Sequence, residues 1–255
     1  MTDARLRALE RVWRETGRSE DEQAWLQARL RAGALGPERL ALAAWLGHAP
    51  ALALTGQAPP PGPETWTDVW RSPLRGFATG FARWGSQALL RAGLACCRGV
   101  QPVWEAALPE ADELQAAIEP LERHLREGAA PDLEAVARLG ATVVMEELPY
   151  ALYLCAQVVE AIERGDPRAW GPEWSAWSRV AGGLEPLQDQ NEALDAAGVA
   201  VLTSWLLIPP SLRAGGEAPS PAHTLLAVMA HAAQAMGGAA LHQELTRALV
   251  PWCLE

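Results

Sequence analysis

The 255-residue sequence contains no lysine, so all 21 of its basic residues are arginines. Isoleucine is restricted to Ile118, Ile162 and Ile208, and the single asparagine is Asn191. A GC-rich genome would produce this usage, so we attach no function to the missing lysine. Phenylalanine and tyrosine are also scarce, with two of each, so the twelve tryptophans must fill most of the large gaps that alanine-rich helices leave.

Local catalytic and ligand-binding motifs are absent as well. The sequence has no GxSxG or Cys–His arrangement for a nucleophile, and no GxGxxG or Walker pattern for a nucleotide phosphate. His223 and His231 could share a broad helix face, but a metal site there would need further ligands, and no other His or Cys has ligand spacing. We therefore expect a protein without metal or cofactor, and not an enzyme.

Charge and hydropathy restrict the partners and the location. The net charge of −10 argues against nucleic acid and anionic membrane, which bind basic surfaces, and it suits a basic protein partner. The alternating charges of residues 1–17 predict no secretory signal, and the longest apolar stretch, 196–208, is too short to cross a bilayer. Without CxxC spacing, the four cysteines are expected to be reduced, structural thiols in a cytoplasmic protein.

Helical periodicity recurs throughout the chain, and no segment has the pattern of a strand. The first helix is predicted over 3–16, ended by Gly17, and the second starts with a capping box formed by Ser19 and Glu22 and stops at Gly33. A third runs from Pro37 to Gly47. These segments predict a three-helix N-terminal unit over residues 1–54.

A Pro-rich linker over residues 55–64 separates this unit from a main helical domain over 65–255, because three consecutive prolines forbid a continuous helix. Helices are expected at 66–80, 82–107, 111–127, 132–148, 149–164, 172–181, 190–208 and 221–250. The fold class is therefore all-α: a multi-helix bundle or an irregular helical stack with a small N-terminal helical unit.

Residues 84–128 carry a more specific pattern. A helix with small residues and Cys96 leads to the pair Trp104 and Glu105, then to a turn that starts at Pro109 and Glu110, and then to Ala117, Ile118 and Glu119. This order and spacing resemble a family of all-helical bacterial proteins known as immunity proteins. The resemblance implies a protein that binds and neutralises a cognate toxin. This chain departs from the family pattern within the turn, at residues 111, 113 and 114.

Several side chains are candidates for the functional surface. Glu105 and Glu119 flank the turn, where they could pair with Arg123 or Arg98. Three tryptophans, of which Trp174 and Trp177 are spaced to share a helix face, form either a core cluster or a binding surface: Trp170, Trp174 and Trp177. Glu146 and Glu147 stand in an apolar context and are the candidates for acid–base chemistry under the alternative that the chain is an enzyme.

These features predict a non-enzymatic protein-binding module with another protein, such as a basic toxin, as partner. Acidic and aromatic side chains would cover a basic surface of that toxin. The alternative from another class is a helical scaffold or regulatory protein that binds partner helices in its grooves.

Overall fold

The computed structural model describes residues 3–66, 72–128, 134, 136–139, 155–156, 159, 190–208 and 220–255. The fold is all-helical, as predicted, and the described residues contain no strand. Their α-helices, numbered here in chain order, are α1 Asp3–Thr16, α2 Ser19–Arg31, α3 Pro37–Trp45, α4 Ala49–Thr55, α5 Leu74–Gly80, α6 Gly85–Ala107, α7 Glu113–Glu127, α8 Gln190–Ser204, α9 Pro221–Met236 and α10 Gly238–Leu254.

The chain divides into two compact units. The smaller unit contains residues 1–61 together with 245–255, and the larger contains residues 62–244. The division after residue 61 falls within the predicted linker. Residues 245–255, which the sequence analysis assigned to the main domain, belong to the smaller unit, because their backbone carbonyls accept hydrogen bonds from arginines of α2 and α3.

The smaller unit has four helices in residues 1–54 rather than the three predicted. The fourth, Ala49–Thr55, has Pro50 in its first turn and ends at Gly56, which adopts a left-handed conformation with φ of 64°. Its seven residues make only two turns, so its pattern is too short to be distinguished from the entry into the Pro-rich linker. Within the unit, α1 packs on α2, and α4 packs on both α2 and α3.

The capping box predicted at the start of α2 does not form. Ser19 is already the first helical residue, and Arg18 occupies the cap position without a side-chain hydrogen bond. The Thr16 hydroxyl instead accepts the Arg18 backbone N–H at 3.2 Å and donates to Asp21 Oδ2 at 2.6 Å. Thr16 therefore stabilises the turn between α1 and α2.

The core of the larger unit is formed by α6, α8 and α9, which pack on one another, while α5 packs on α9 and α7 packs on α6. Twelve of the sixteen residues of α9 are buried. The face of α6 that meets this core consists largely of small residues, and a Cβ atom added at Gly93 would lie 2.5 Å from Leu207 Cδ1. Small side chains on α6 thus permit the close approach of the segment that contains Ser204 and Leu207.

Two predicted helices have different bounds in the structure. The helix predicted over 66–80 covers only Leu74–Gly80 in the described residues, with Trp66 in extended conformation and Pro73, which disfavours helical backbone at Ser72, as the cap. The helix predicted over 221–250 is two helices, α9 and α10, bent by 119° at the break. The predictions for 132–148, 149–164 and 172–181 concern segments that lie mostly or wholly outside the described residues.

The break between α9 and α10 depends on Gly237. Its φ of 89° and ψ of 147° lie in a region that is essentially restricted to glycine.

Within the described ranges, no single helix is long and apolar enough to span a membrane; α9 and α10 satisfy the length and composition criteria only as a bent pair.

We expect Gly237→Ala to destabilise the protein by about 1–3 kcal/mol, because a Cβ atom makes this backbone conformation strained. The measurement is the free energy of unfolding in urea, followed by helical circular dichroism. Gly238→Ala is the matched control, since Gly238 begins α10 and an added Cβ would have its nearest contacts at an ordinary 3.4 Å. If both variants are equally stable, the backbone at Gly237 carries no strain penalty for alanine.

Candidate functional site

Arg98 organises the surface between α6 and α7. Its Nε and Nη2 donate to Glu122 Oε1 at 2.7 and 2.5 Å, which makes an ion pair between the two helices. Its Nη1 donates to Gln101 Oε1 at 2.8 Å and to Gln115 Oε1 at 2.6 Å. A single guanidinium therefore contacts three side chains, one on its own helix and two on the next.

Each of these glutamines also donates a hydrogen bond to one of the predicted glutamates. Gln101 Nε2 donates to Glu105 Oε1 at 2.6 Å, and Gln115 Nε2 donates to Glu119 Oε1 at 2.9 Å. Because a guanidinium has donors only, Arg98 takes the oxygen of each amide, and the amide NH2 group is left to donate to a carboxylate. Arg98 thus determines the orientation of both amide groups, with the oxygen towards the guanidinium and the NH2 group towards a glutamate.

The prediction that Arg98 or Arg123 pairs directly with Glu105 or Glu119 therefore needs a correction. Arg98 forms its ion pair with Glu122, and its link to Glu105 and Glu119 runs through the two glutamines. The sequence does contain a signal for this arrangement, since the spacing Gln-x-x-x-Glu occurs once on each helix. Side chains four residues apart are neighbours on a helix surface.

The surface that contains these residues is strongly acidic. We call residues 98–127, with the turn at 108–112, the acidic hairpin; they carry seven carboxylates and three arginines. Glu105, Glu110, Asp112 and Glu119 are all exposed. Trp104, beside Glu105, is only 1% exposed, so the pair of residues that carries the family resemblance divides into a core side chain and a surface charge.

A groove of about 800 Å3 lies on the smaller unit, between α1, α2 and residues 250–255. Its apolar part includes Trp13 and Trp25, whose rings are stacked with centroids 4.6 Å apart and planes at 18°. The Arg29 guanidinium lies 4.9 Å from the Trp25 ring centroid and donates to the backbone carbonyls of Leu254 and Glu255. The residue patterns of α1 and α2 alone could not predict this groove, because its third wall comes from the other end of the chain.

One carboxylate that lines the groove, Glu22, pairs with a histidine of the same unit. The Glu22 Oε1 and His48 Nε2 atoms are 3.2 Å apart. Burial lowers the pKa of His48, and the neighbouring Glu22 carboxylate opposes that change.

The cysteines and His231 lie in the interior. Cys96, Cys97, Cys155 and Cys253 are buried and form no disulfide bonds, as predicted from the sequence. Burial raises the pKa of Cys97 and of Cys155 to about 12, so both are protonated at neutral pH. His231 is fully buried, and burial lowers its pKa to about 3 against the opposing effect of a hydrogen bond with Gln234.

Metal-ligating side chains are not clustered in the part of the chain that the structure describes: no group of three or more His, Cys, Asp or Glu there could hold a metal ion. The remaining predicted candidates, Trp170, Trp174 and Trp177 as an interface and Glu146 and Glu147 as acid–base groups, lie outside the described residues. Comparison with protein-family models, with curated proteins and with solved structures returns no match to this chain.

Proposed function

We propose that this protein is a non-enzymatic binding module whose acidic hairpin covers a basic surface of another protein, as an immunity protein covers its toxin. The observation that supports this proposal is the oriented pair of exposed carboxylates, Glu105 and Glu119, each held by a glutamine that Arg98 fixes. Carboxylates that are held in place need little further ordering when a partner binds.

Electrostatic considerations support a basic partner. The turn and its flanks, residues 105–113, contain four carboxylates and no basic residue. Such a surface accelerates the encounter with a positively charged protein and repels acidic competitors. The partner class implied by the resemblance of residues 84–128, a cognate toxin, would then be neutralised by occlusion of its basic surface.

The test is comparative affinity capture from native lysate with three forms of the full chain. The wild type should capture one basic protein stoichiometrically. The double variant Glu105→Arg/Glu119→Arg should fail to capture that protein, because two attractive contacts become repulsive. Glu38→Arg, an exchange at an exposed glutamate of the smaller unit, is the matched control and should keep that protein. The captured protein, when purified, should also lose its toxic activity on addition of the wild type.

Equal capture by the double variant would exclude the acidic hairpin as the binding surface. The absence of any stoichiometric partner would count against the toxin-binding role.

We expect the association of the wild type with this partner to weaken as the salt concentration is raised, because exposed charge pairs are screened.

A helical scaffold is the second candidate function, and the groove of the smaller unit supports it. Grooves between helices bind amphipathic helices through apolar anchors, and this groove offers Trp13, Trp25 and Leu254. Under this function the wild type and Glu105→Arg/Glu119→Arg would capture the same set of several proteins, so the same experiment separates the two candidates.

A further inference from the structure

The wall that α1 gives to the groove has a regular spacing. Six residues of α1 line it, at intervals of three, one, three, three and one: Asp3, Leu6, Arg7, Glu10, Trp13 and Arg14. Residues at such intervals share one face of a helix. Leu6 and Trp13 supply an apolar edge, and the other four positions form a charged stripe beside it.

The surface of α1 is poorly covered in the single chain. None of its fourteen residues is buried, although it carries Leu6, Leu9, Val12 and Trp13. Leu6 and Trp13, the two apolar residues of α1 that line the groove, are each only half-buried. A helix of this length is marginal in water and gains stability mainly from packing its apolar face.

The charges of this stripe are ordered so that the stripe of one copy complements the same stripe of a second, antiparallel copy. Asp3, Arg7, Glu10 and Arg14 alternate in sign along the helix. When two copies of α1 lie antiparallel about a point between Ala8 and Leu9, Asp3 faces Arg14 of the second copy and Arg7 faces Glu10 of the second copy. The two-fold symmetry repeats both pairs, so four opposite-charge contacts result. A contact between identical surfaces requires this kind of self-complementarity.

The geometry of Glu10 fits such an arrangement. Its Oε1 accepts from Arg14 Nη2 of the same helix at 2.6 Å. Its second carboxylate oxygen, Oε2, can then accept from Arg7 of the second copy, so that intrahelical and interhelical pairs form one network.

We propose that the groove is the interface of a homodimer and that its occupant is α1 of a second copy, packed antiparallel against α1 of the first. Each copy places Leu6 and Trp13 against the other, with the charged stripes of the two helices side by side. This inference concerns the smaller unit, and it does not rest on the function proposed for the acidic hairpin.

The test is a charge exchange in the full chain, with the molar mass in solution measured by light scattering and analytical ultracentrifugation. The wild type should be a dimer at micromolar concentration. R7E and E10R each place like charges opposite one another at two symmetric contacts, so each variant alone should dimerise at least about tenfold more weakly. R5E is the matched control, since Arg5 is an exposed arginine of α1 that does not line the groove, and it should dimerise like the wild type.

Mixing R7E with E10R provides the decisive measurement. In the mixed pair every contact between positions 7 and 10 again joins opposite charges, so the two variants should form a heterodimer that neither forms alone. The double variant R7E/E10R should recover self-association for the same reason. Helical circular dichroism verifies that each variant is folded.

A monomeric wild type overturns the proposal, as does the failure of folded R7E and folded E10R to associate when mixed. If the groove is instead occupied by a helix of a different protein, the wild type alone is monomeric. The capture experiment on Glu105 and Glu119 is independent of these outcomes, because it concerns residues of the larger unit.

Discussion

Lowering the pH from 7 towards 3 should remove roughly 4 kcal/mol of folding free energy through His231 alone, since each unit of pKa difference corresponds to about 1.4 kcal/mol. In the unfolded chain this histidine titrates near 6.5, whereas burial lowers its pKa to about 3 in the folded protein. Between these two values the unfolded chain binds a proton that the folded chain does not, so stability falls as the pH falls. Above pH 6.5 this contribution is fully present.

His231→Gln isolates the effect. This variant lacks the titrating imidazole but keeps a polar side chain of similar reach, so its stability should decrease less steeply between pH 7 and pH 4 than that of the wild type. The measurement is the free energy of unfolding in urea at closely spaced pH values. Protonation of carboxylates lowers the stability of both proteins equally, so the difference between the two curves of unfolding free energy against pH reports the titration of His231. Parallel curves would mean that His231 is accessible to protons in the folded state.

Trp104→Ala should cost about 3–5 kcal/mol of folding free energy, the range for removal of a large buried aromatic side chain. Trp104, on α6, is one of the largest fully buried side chains in the described residues. Its neighbour Glu105 is exposed, and Glu105→Ala should change stability by no more than about 0.5 kcal/mol. Two adjacent positions thus differ in expected effect because one side chain enters the core and the other faces water.

Chemical denaturation of both variants tests this contrast. Trp104→Ala should also expose the core of the larger unit, which is measured as increased binding of a hydrophobic dye at neutral pH. Comparable losses of stability at the two positions would contradict the assignment of Trp104 to the core and of Glu105 to the surface.

The fold class and several helix bounds could be predicted because they depend on local chemistry. Pro37 and Gly47 delimit α3, and Gly17, in a left-handed conformation, ends α1. The break at Gly237 was missed although two adjacent glycines, Gly237 and Gly238, are a local signal for it, because apolar residues continue with helical spacing on both sides of the pair. The positive φ of Gly237, which separates α9 from α10, has no counterpart in hydrophobic periodicity.

The candidate site could be predicted in part. Glu105 and Glu119 were selected from the resemblance of residues 84–128 to immunity proteins, and that resemblance stays a prediction. The residues that orient them, Arg98, Gln101 and Gln115, were not identified as a group, because a guanidinium that contacts two helices is visible only when the helices are packed. The groove was missed for a related reason, since its walls are far apart in the chain.

The division of the smaller unit between the two ends of the sequence has a consequence for synthesis. Residues 245–255 complete this unit, and residues 62–244 are translated between its two segments. The four N-terminal helices therefore leave the ribosome well before the backbone carbonyls that Arg29 and Arg39 hold. The smaller unit can therefore be completed only after all of the larger unit has been synthesised.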